Sequence, residues 1–225
     1  MSARGTGRGE ELRERKMNKI LNNSVLYVNL EGLRRNVRTL LRELEGKALV
    51  PVLKGNAYGL GLERIGQELS AFKEIHTFAD AQVSEGAALR QAGVSNEILV
   101  LGGVPGPLLA PAAELDLTLA VGRLGLLPQL ARLGESLGRP IKVQIKVETG
   151  LHRIGLMPGG ELSALLEEWK RAIPWVAVTG AFTHFADLGD LERTRGQFQT
   201  YERGVRQLEE GGMSIPFRHV SASAA

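Results

Sequence analysis

Val52-Leu53-Lys54-Gly55-Asn56-Ala57-Tyr58-Gly59-Leu60-Gly61 joins the end of an apolar run to a glycine-rich turn and places one lysine at the junction. Ala48 to Leu53 reads as a buried strand that would hold Lys54 rigidly at its C-terminal end. Gly55, Gly59 and Gly61 allow the backbone to come close to a bulky anionic ligand, and Tyr58 adds a hydroxyl within one turn. A lone lysine at a strand end is ordinarily a surface residue. It is the whole decapeptide that marks this one as a binding residue.

Outward from this stretch the chain alternates. Strand-like Val25 to Leu30 precedes a helix with Leu33, Val37, Leu40, Leu41 and Leu44 at helical spacing. Seven apolar, β-rich runs follow, at 48–53, 75–79, 97–101, 116–121, 141–147, 175–183 and 217–221, with helices over 83–92, 125–137, 160–172 and 197–210 among the segments between them. Strands that are apolar throughout and separated by helices predict a parallel sheet covered on both faces. A doubly wound sheet and a TIM-type (β/α) barrel both fit. Lys54, Arg153, His184 and Ser223 all fall at or beyond the C-terminal ends of different strands, the arrangement of a barrel, whereas an open sheet would gather them at one switch point.

Composition bounds the rest. With 225 residues and 43% hydrophobic content there is enough apolar material for one sizeable core. Having no cysteine excludes disulfides, a thiolate nucleophile and a cysteine zinc site, and no metal site is expected. No apolar run approaches the roughly 20 residues that span a bilayer, so a cytoplasmic location and no membrane partner are expected. The net charge of +3 is small and partly sits in the leading segment, so nucleic acid is not indicated. Residues 1–22 read as a mobile basic tail, and residues 23–225 as one barrel domain.

The Val52 to Gly61 stretch resembles the Lys-x-Asn-Ala-Tyr-Gly-x-Gly motif of the alanine racemases, and the resemblance recurs along nearly the whole chain after the tail. Ala79 to Val94, with Glu85-Gly86 and Leu89 to Gly93, resembles the family's second strand and helix, and Ile98 to Gly102 its third strand. Lys146-Val147-Glu148-Thr149-Gly150-Leu151-His152-Arg153-Ile154-Gly155 is similar to Lys-x-Asp-Thr-Gly-Met-x-Arg-x-Gly, with glutamate in place of aspartate. Thr183-His184-Phe185-Ala186 matches Thr-His-Phe-Ala, and His219 to Ala225 resembles His-x-x-Asn-Ser-Ala-Ala with Ala222 where the asparagine stands.

The resemblance implies an α/β, TIM-type barrel that binds pyridoxal 5'-phosphate (PLP), truncated after about its seventh strand and lacking the family's C-terminal β domain. It implies that Lys54 carries PLP covalently and acts as a base, that Arg153 contacts the substrate carboxylate and the cofactor, and that His184 lies beside the cofactor ring. Tyr58 and Ser223 would bind the phosphate, Leu101 would line the pocket, and Lys146 matches a lysine that carries a carbamate in several members. The implied activity interconverts L- and D-alanine, or a similar small amino acid, for cell-wall synthesis, in a homodimer whose second acid/base is a tyrosine of the C-terminal domain. Nothing here matches that tyrosine: Tyr27 and Tyr201 lie in other contexts, so the isolated chain is expected to be inactive. The other classes are a PLP-binding carrier barrel without catalysis and an inactive remnant or interaction module. PLP titration separates the remnant, and a chiral amino-acid assay separates the carrier.

Overall fold

The computed structural model describes residues 24–220. The expected tail at 1–22 and the expected phosphate ligand Ser223 lie outside the described residues. The chain divides into two compact units, with the division between Arg38 and Thr39. Within the first, Val25, Leu26 and Tyr27 are exposed and form no strand, contrary to the expectation from their apolarity. Asn29 ends this stretch by accepting the Gly32 amide on its side chain at 2.9 Å, as helix α1 (Leu30–Glu43) begins.

The second unit holds a six-stranded sheet. Its elements after α1 are α2 (Leu62–Ser70), β1 (Thr77–Asp80), α3 (Val83–Gln91), β2 (Glu97–Val100), α4 (Leu109–Glu114), β3 (Thr118–Val121), α5 (Leu126–Leu137), β4 (Ile141–Lys146), α6 (Gly160–Ala172), β5 (Val176–Phe182), α7 (Leu191–Glu210) and β6 (Arg218–His219). Neighbouring strands follow chain order, β1 to β6, and every pair is parallel. Strand order that never reverses has no switch point, so the barrel wall is observed and the doubly wound alternative is not.

The expected first strand, Ala48 to Leu53, is reduced to one bridge, Val52 to Ala79. Around it, Ala79 N–H donates to Pro51 O at 2.9 Å and Leu53 N–H to Ala79 O at 2.8 Å. The next rung needs an N–H from residue 51, and proline has none. Helix α7 starts at Leu191 rather than 197 because the Asp190 side chain accepts the Arg193 amide at 2.9 Å and caps six further residues into it.

Strand residues alternate between two buried faces. Phe78, Ile98, Leu119, Val143 and Ile145 are fully buried on one. Helices approach closely there: a Cβ on Gly86 of α3 would meet Leu117 at 2.9 Å, and one on Gly204 of α7 would meet Val147 at 2.9 Å. The other, inner face is layered. Glu97 accepts hydroxyl donors from Thr118 at 2.7 Å, Thr77 at 3.1 Å and Thr179 at 3.2 Å. Above this layer come Ala79, Leu99, Ala120 and Phe182, with Val50 and Leu101 packed against them.

Asp80 is fully buried, and neither of its carboxyl oxygens has a hydrogen-bond partner among the described residues. Burial, aided by the nearby charge of Glu85, pushes its pKa up to about 7. The fold therefore favours the protonated form. Its contribution to stability is complete below about pH 4, where unfolded aspartate also holds its proton, and is lost as the pH rises through 7. Asp80→Asn should gain on wild type by as much as a few kcal/mol as the pH rises from about 4 to about 7 in urea unfolding, and a difference independent of pH would contradict this assignment.

Candidate active site

Lys54 opens a turn of unusual hand. Gly55, Asn56 and Ala57 have φ of 64°, 58° and 52° with ψ of 43°, 47° and 49°, and Tyr58 follows at φ 55°. This is left-handed helical backbone, which costs a residue with a Cβ roughly 1–2 kcal/mol. Glycine supplies only Gly55 and Gly59 without that cost, so Asn56, Ala57 and Tyr58 must be held by their surroundings. Asn56 Oδ1 accepts the Leu62 amide at 2.8 Å, tying the turn to the start of α2. The Gly55 amide donates to Glu85 Oε1 at 2.6 Å. Lys54 and Tyr58 are both exposed, and Lys54 Nζ lies 5.9 Å from the centre of the Tyr58 ring.

Lys146 ends β4 on the inner face, between Phe182 of β5 and the strands before it. It is 1% exposed. Its Nζ donates at 3.3 Å to Val147 O and at 3.3 Å to Thr183 Oγ1, and lies 5.5 Å from the Phe182 ring centre. Thr183 Oγ1 donates to Val147 O at 2.8 Å, which leaves it to accept from Thr149 Oγ1 at 2.8 Å. Two long bonds do not replace the hydration of an ammonium. Burial lowers the Lys146 pKa to about 8, with Glu148 pulling it up and Arg153 pushing it further down.

Arg153 is exposed on the loop after β4. That loop is shaped by Glu148, whose carboxylate accepts the amides of Gly150 and of Leu151, the latter at 2.8 Å. Burial raises the pKa of Glu148, but the backbone amides of Gly150, His152 and Leu151 outweigh it and hold the pKa low. The glutamate thus holds the loop through its backbone amides. His184 stands just past β5, and its pKa is lowered by burial first and then by the charges of Arg153, Lys146 and Lys54. Arg153, Lys146 and Lys54 are therefore each close enough to act on His184. They make a cationic rim at the C-terminal ends of the strands, suited to an anion.

Leu101 follows β2, half-buried against the cluster that includes Phe182. His76 and His152 are exposed, as expected of residues outside the site.

Several residues beneath the rim were not picked out by the sequence. His219 stacks on Phe182 at 4.9 Å, and its Nε2 donates to Gln144 Oε1 at 2.7 Å. Gly180 lies opposite Gln144, and a Cβ there would collide with the Phe217 carbonyl oxygen. Burial, helped by Lys146, takes the His219 pKa down to about 4, so the ring is neutral near pH 7. Gln197 is 4% exposed, donates to Thr149 O at 3.1 Å and accepts the Ala186 amide at 3.1 Å. One side chain thus joins the Arg153 loop to the His184 loop. A polar residue on the same α7 face as Tyr201, Gly204, Val205 and Leu208 was its signal.

The family described as "Alanine racemase, N-terminal domain" matches residues 28–225. The alanine racemase of Symbiobacterium thermophilum is 38% identical over 205 residues, which cover 88% of this chain and 52% of that protein. That of Methanococcus maripaludis is 33% identical over 202 residues, covering 88% and 53%. Among solved structures, the alanine racemase of Clostridium difficile 630 superposes with a TM-score of 0.83 at 31% identity, covering 88% of this chain and 52% of that one. The chain spans about half the length of the curated relatives it matches. It belongs to the alanine racemase family, a PLP-dependent family, and corresponds to the family's N-terminal, PLP-binding domain.

Gln197→Ala would leave the Thr149 carbonyl and Ala186 amide without partners, a loss of about 1–3 kcal/mol for each buried group left unpaired. Hydrogen exchange should accelerate together in residues 149–153 and 184–187. Acceleration in one loop alone would show that the amide does not couple them.

Proposed function

We propose that this chain is the cofactor-binding part of an alanine racemase in which Lys54 carries PLP, acting on alanine or a similar small amino acid in the cytoplasm and supplying D-alanine for cell-wall synthesis. The observation that carries the reading is the gathering of Lys54, Lys146, Arg153 and His184 at one rim, with Lys54 in the motif Val52 to Gly61. A cationic rim beside a lysine at a turn is what an anionic aldehyde cofactor requires. The residues fit it: Lys54 is exposed for covalent attachment, Tyr58 shares its turn, and Leu101 offers an apolar wall.

PLP supplies an electron sink for the pair left at Cα when an amino acid loses its α-proton. The chain does the rest on one face. Arg153 presents a planar pair of donors that fits a carboxylate and so fixes which bond at Cα is exposed. Lys54 Nζ, released when the substrate amine takes its place, would be the group on this face that takes or returns the α-proton. His184 would lie against the ring, and Tyr58 and Ser223 would offer hydroxyls to the phosphate. Lys146, with its pKa near 8, is neutral often enough to add carbon dioxide at Nζ with release of a proton. The resulting carbamate would turn a repulsive neighbour of Arg153 into an orienting anion.

Inversion needs a second acid/base on the opposite face, which in this reading comes from the other half of the protein within a homodimer. Tyr201 does not serve. Its hydroxyl is buried and donates to Ala181 O at 2.7 Å, and burial raises its pKa further. That commitment also favours a second reading for the chain by itself, a PLP carrier without racemisation, which a chiral assay distinguishes.

Borohydride treatment of the chain with PLP, followed by peptide mapping, should place the pyridoxyl group on Lys54. A label on a different lysine would overturn the assignment. Arg153→Ala should weaken acetate or alanine binding to the PLP-loaded chain about tenfold or more while PLP stays attached, and Arg153→Lys should restore only part of it, because an ammonium lacks the planar fork. Unchanged ligand affinity in Arg153→Ala would remove Arg153 from the site.

A further inference from the structure

We infer that Glu85 is the positioning residue for Lys54, holding the strained left-handed turn in the form that presents the amine. Because it concerns how that amine is placed, the inference rests on the proposal that Lys54 is the PLP-bearing residue.

Glu85 lies in the first turn of α3, thirty residues beyond Gly55, and its carboxylate gathers three backbone donors from two loops. Oε1 accepts the Gly55 amide at 2.6 Å. Oε2 accepts the Ala81 amide at 3.0 Å and the Gln82 amide at 3.1 Å. The second pair is ordinary capping of a helix start. The first is not local, and it reaches the residue directly after Lys54. Charge-assisted bonds to a carboxylate are the stronger kind, and 2.6 Å lies at the short end for N–H···O.

The turn needs such a tie. Five successive residues, Gly55 to Gly59, have left-handed φ, and three of them carry a Cβ. Left alone, Asn56, Ala57 and Tyr58 would relax to right-handed backbone, which would redirect the chain after Lys54 and carry Tyr58 away from it. Two anchors oppose that: the Asn56 side chain holds the far end on Leu62, and Glu85 holds the near end. The near end is the one that aims Nζ. Glu85 itself is fixed on the β1–α3 connection, so the lysine turn is referenced to the sheet and does not depend on its own preferences. The same carboxylate also faces Asp80.

The test uses the full chain and two readouts. In the absence of PLP, Glu85→Gln should speed hydrogen exchange at the Gly55 amide at least tenfold relative to the amides of 86–91, because a carboxamide offers one acceptor where the carboxylate offered two. With PLP added, covalent attachment at Lys54 should slow about tenfold. Ala57→Gly removes left-handed strain, so in that background the same Glu85→Gln change should slow attachment by threefold or less. A purely structural role as a cap for α3 would lower the melting temperature without this rescue. Unchanged Gly55 exchange, or equal slowing in both backgrounds, overturns the inference. Attachment of PLP to another lysine in wild type, with Gly55 exchange still dependent on Glu85, would instead defeat the reading of Lys54 and leave Glu85 as the holder of the turn. If Glu85→Gln does not fold, wild type decides: a Gly55 amide that exchanges at the rate of an unprotected peptide refutes the tie.

Discussion

Parallel pairing is the constraint on which the rest depends. A parallel ladder cannot be closed by a tight turn, so the chain must leave each strand at one end and re-enter the next from the other. With six strands in chain order, every C-terminal end opens on the same rim. Residues distant in sequence, at 54, 146, 153 and 184, are thus delivered to one place by topology alone, before any side-chain interaction is counted. The helices between the strands bury the outer face, and close contacts at Gly86 and Gly204 set how near they come.

Polarity is graded along the inner face. At the N-terminal end a single carboxylate, Glu97, is satisfied by three threonine hydroxyls; small apolar residues fill the middle; Lys146, Phe182 and His219 stand in one row at the rim. Among the described residues the rim has no comparable satisfaction for its charges. Glu148 is the anion next to Lys146, yet its carboxylate is already engaged by the loop amides of Gly150 and Leu151. Its shape-giving role wins over neutralisation. The pKa of His184 is lowered by burial first, and the charges of Arg153, Lys146 and Lys54 add to it.

The sequence made the sheet legible because strands buried on both faces are apolar throughout, as at Glu97 to Leu101 and Ile141 to Val147, and α6 could be read to its ends. Its failures have local causes. Pro51 removes one donor and with it a strand, and Val25 to Tyr27 are apolar without being buried, which periodicity cannot tell apart. Lys54 could be found by motif, but the hand of its turn could not: alanine and tyrosine give no hint of positive φ, and the Glu85 tie that overrides their preference comes from thirty residues away. Gln197 was obscured in the same way, since one glutamine on a helix face says nothing of the two loops it joins.

Lys146 shows which effect governs the rim. Its two hydrogen bonds are each 3.3 Å long, and a nearby guanidinium opposes its charge, so desolvation dominates and the ammonium is held at a net loss. An unbranched apolar side chain such as methionine would fill that position between Phe182 and the threonines without the loss, and replacing buried charge by packed hydrophobic groups is often neutral or stabilising. The scaffold therefore does not need a lysine there. A buried amine with its pKa drawn toward neutrality is instead what the proposed chemistry of the rim would account for, because functional sites are where local rules of stability are commonly broken.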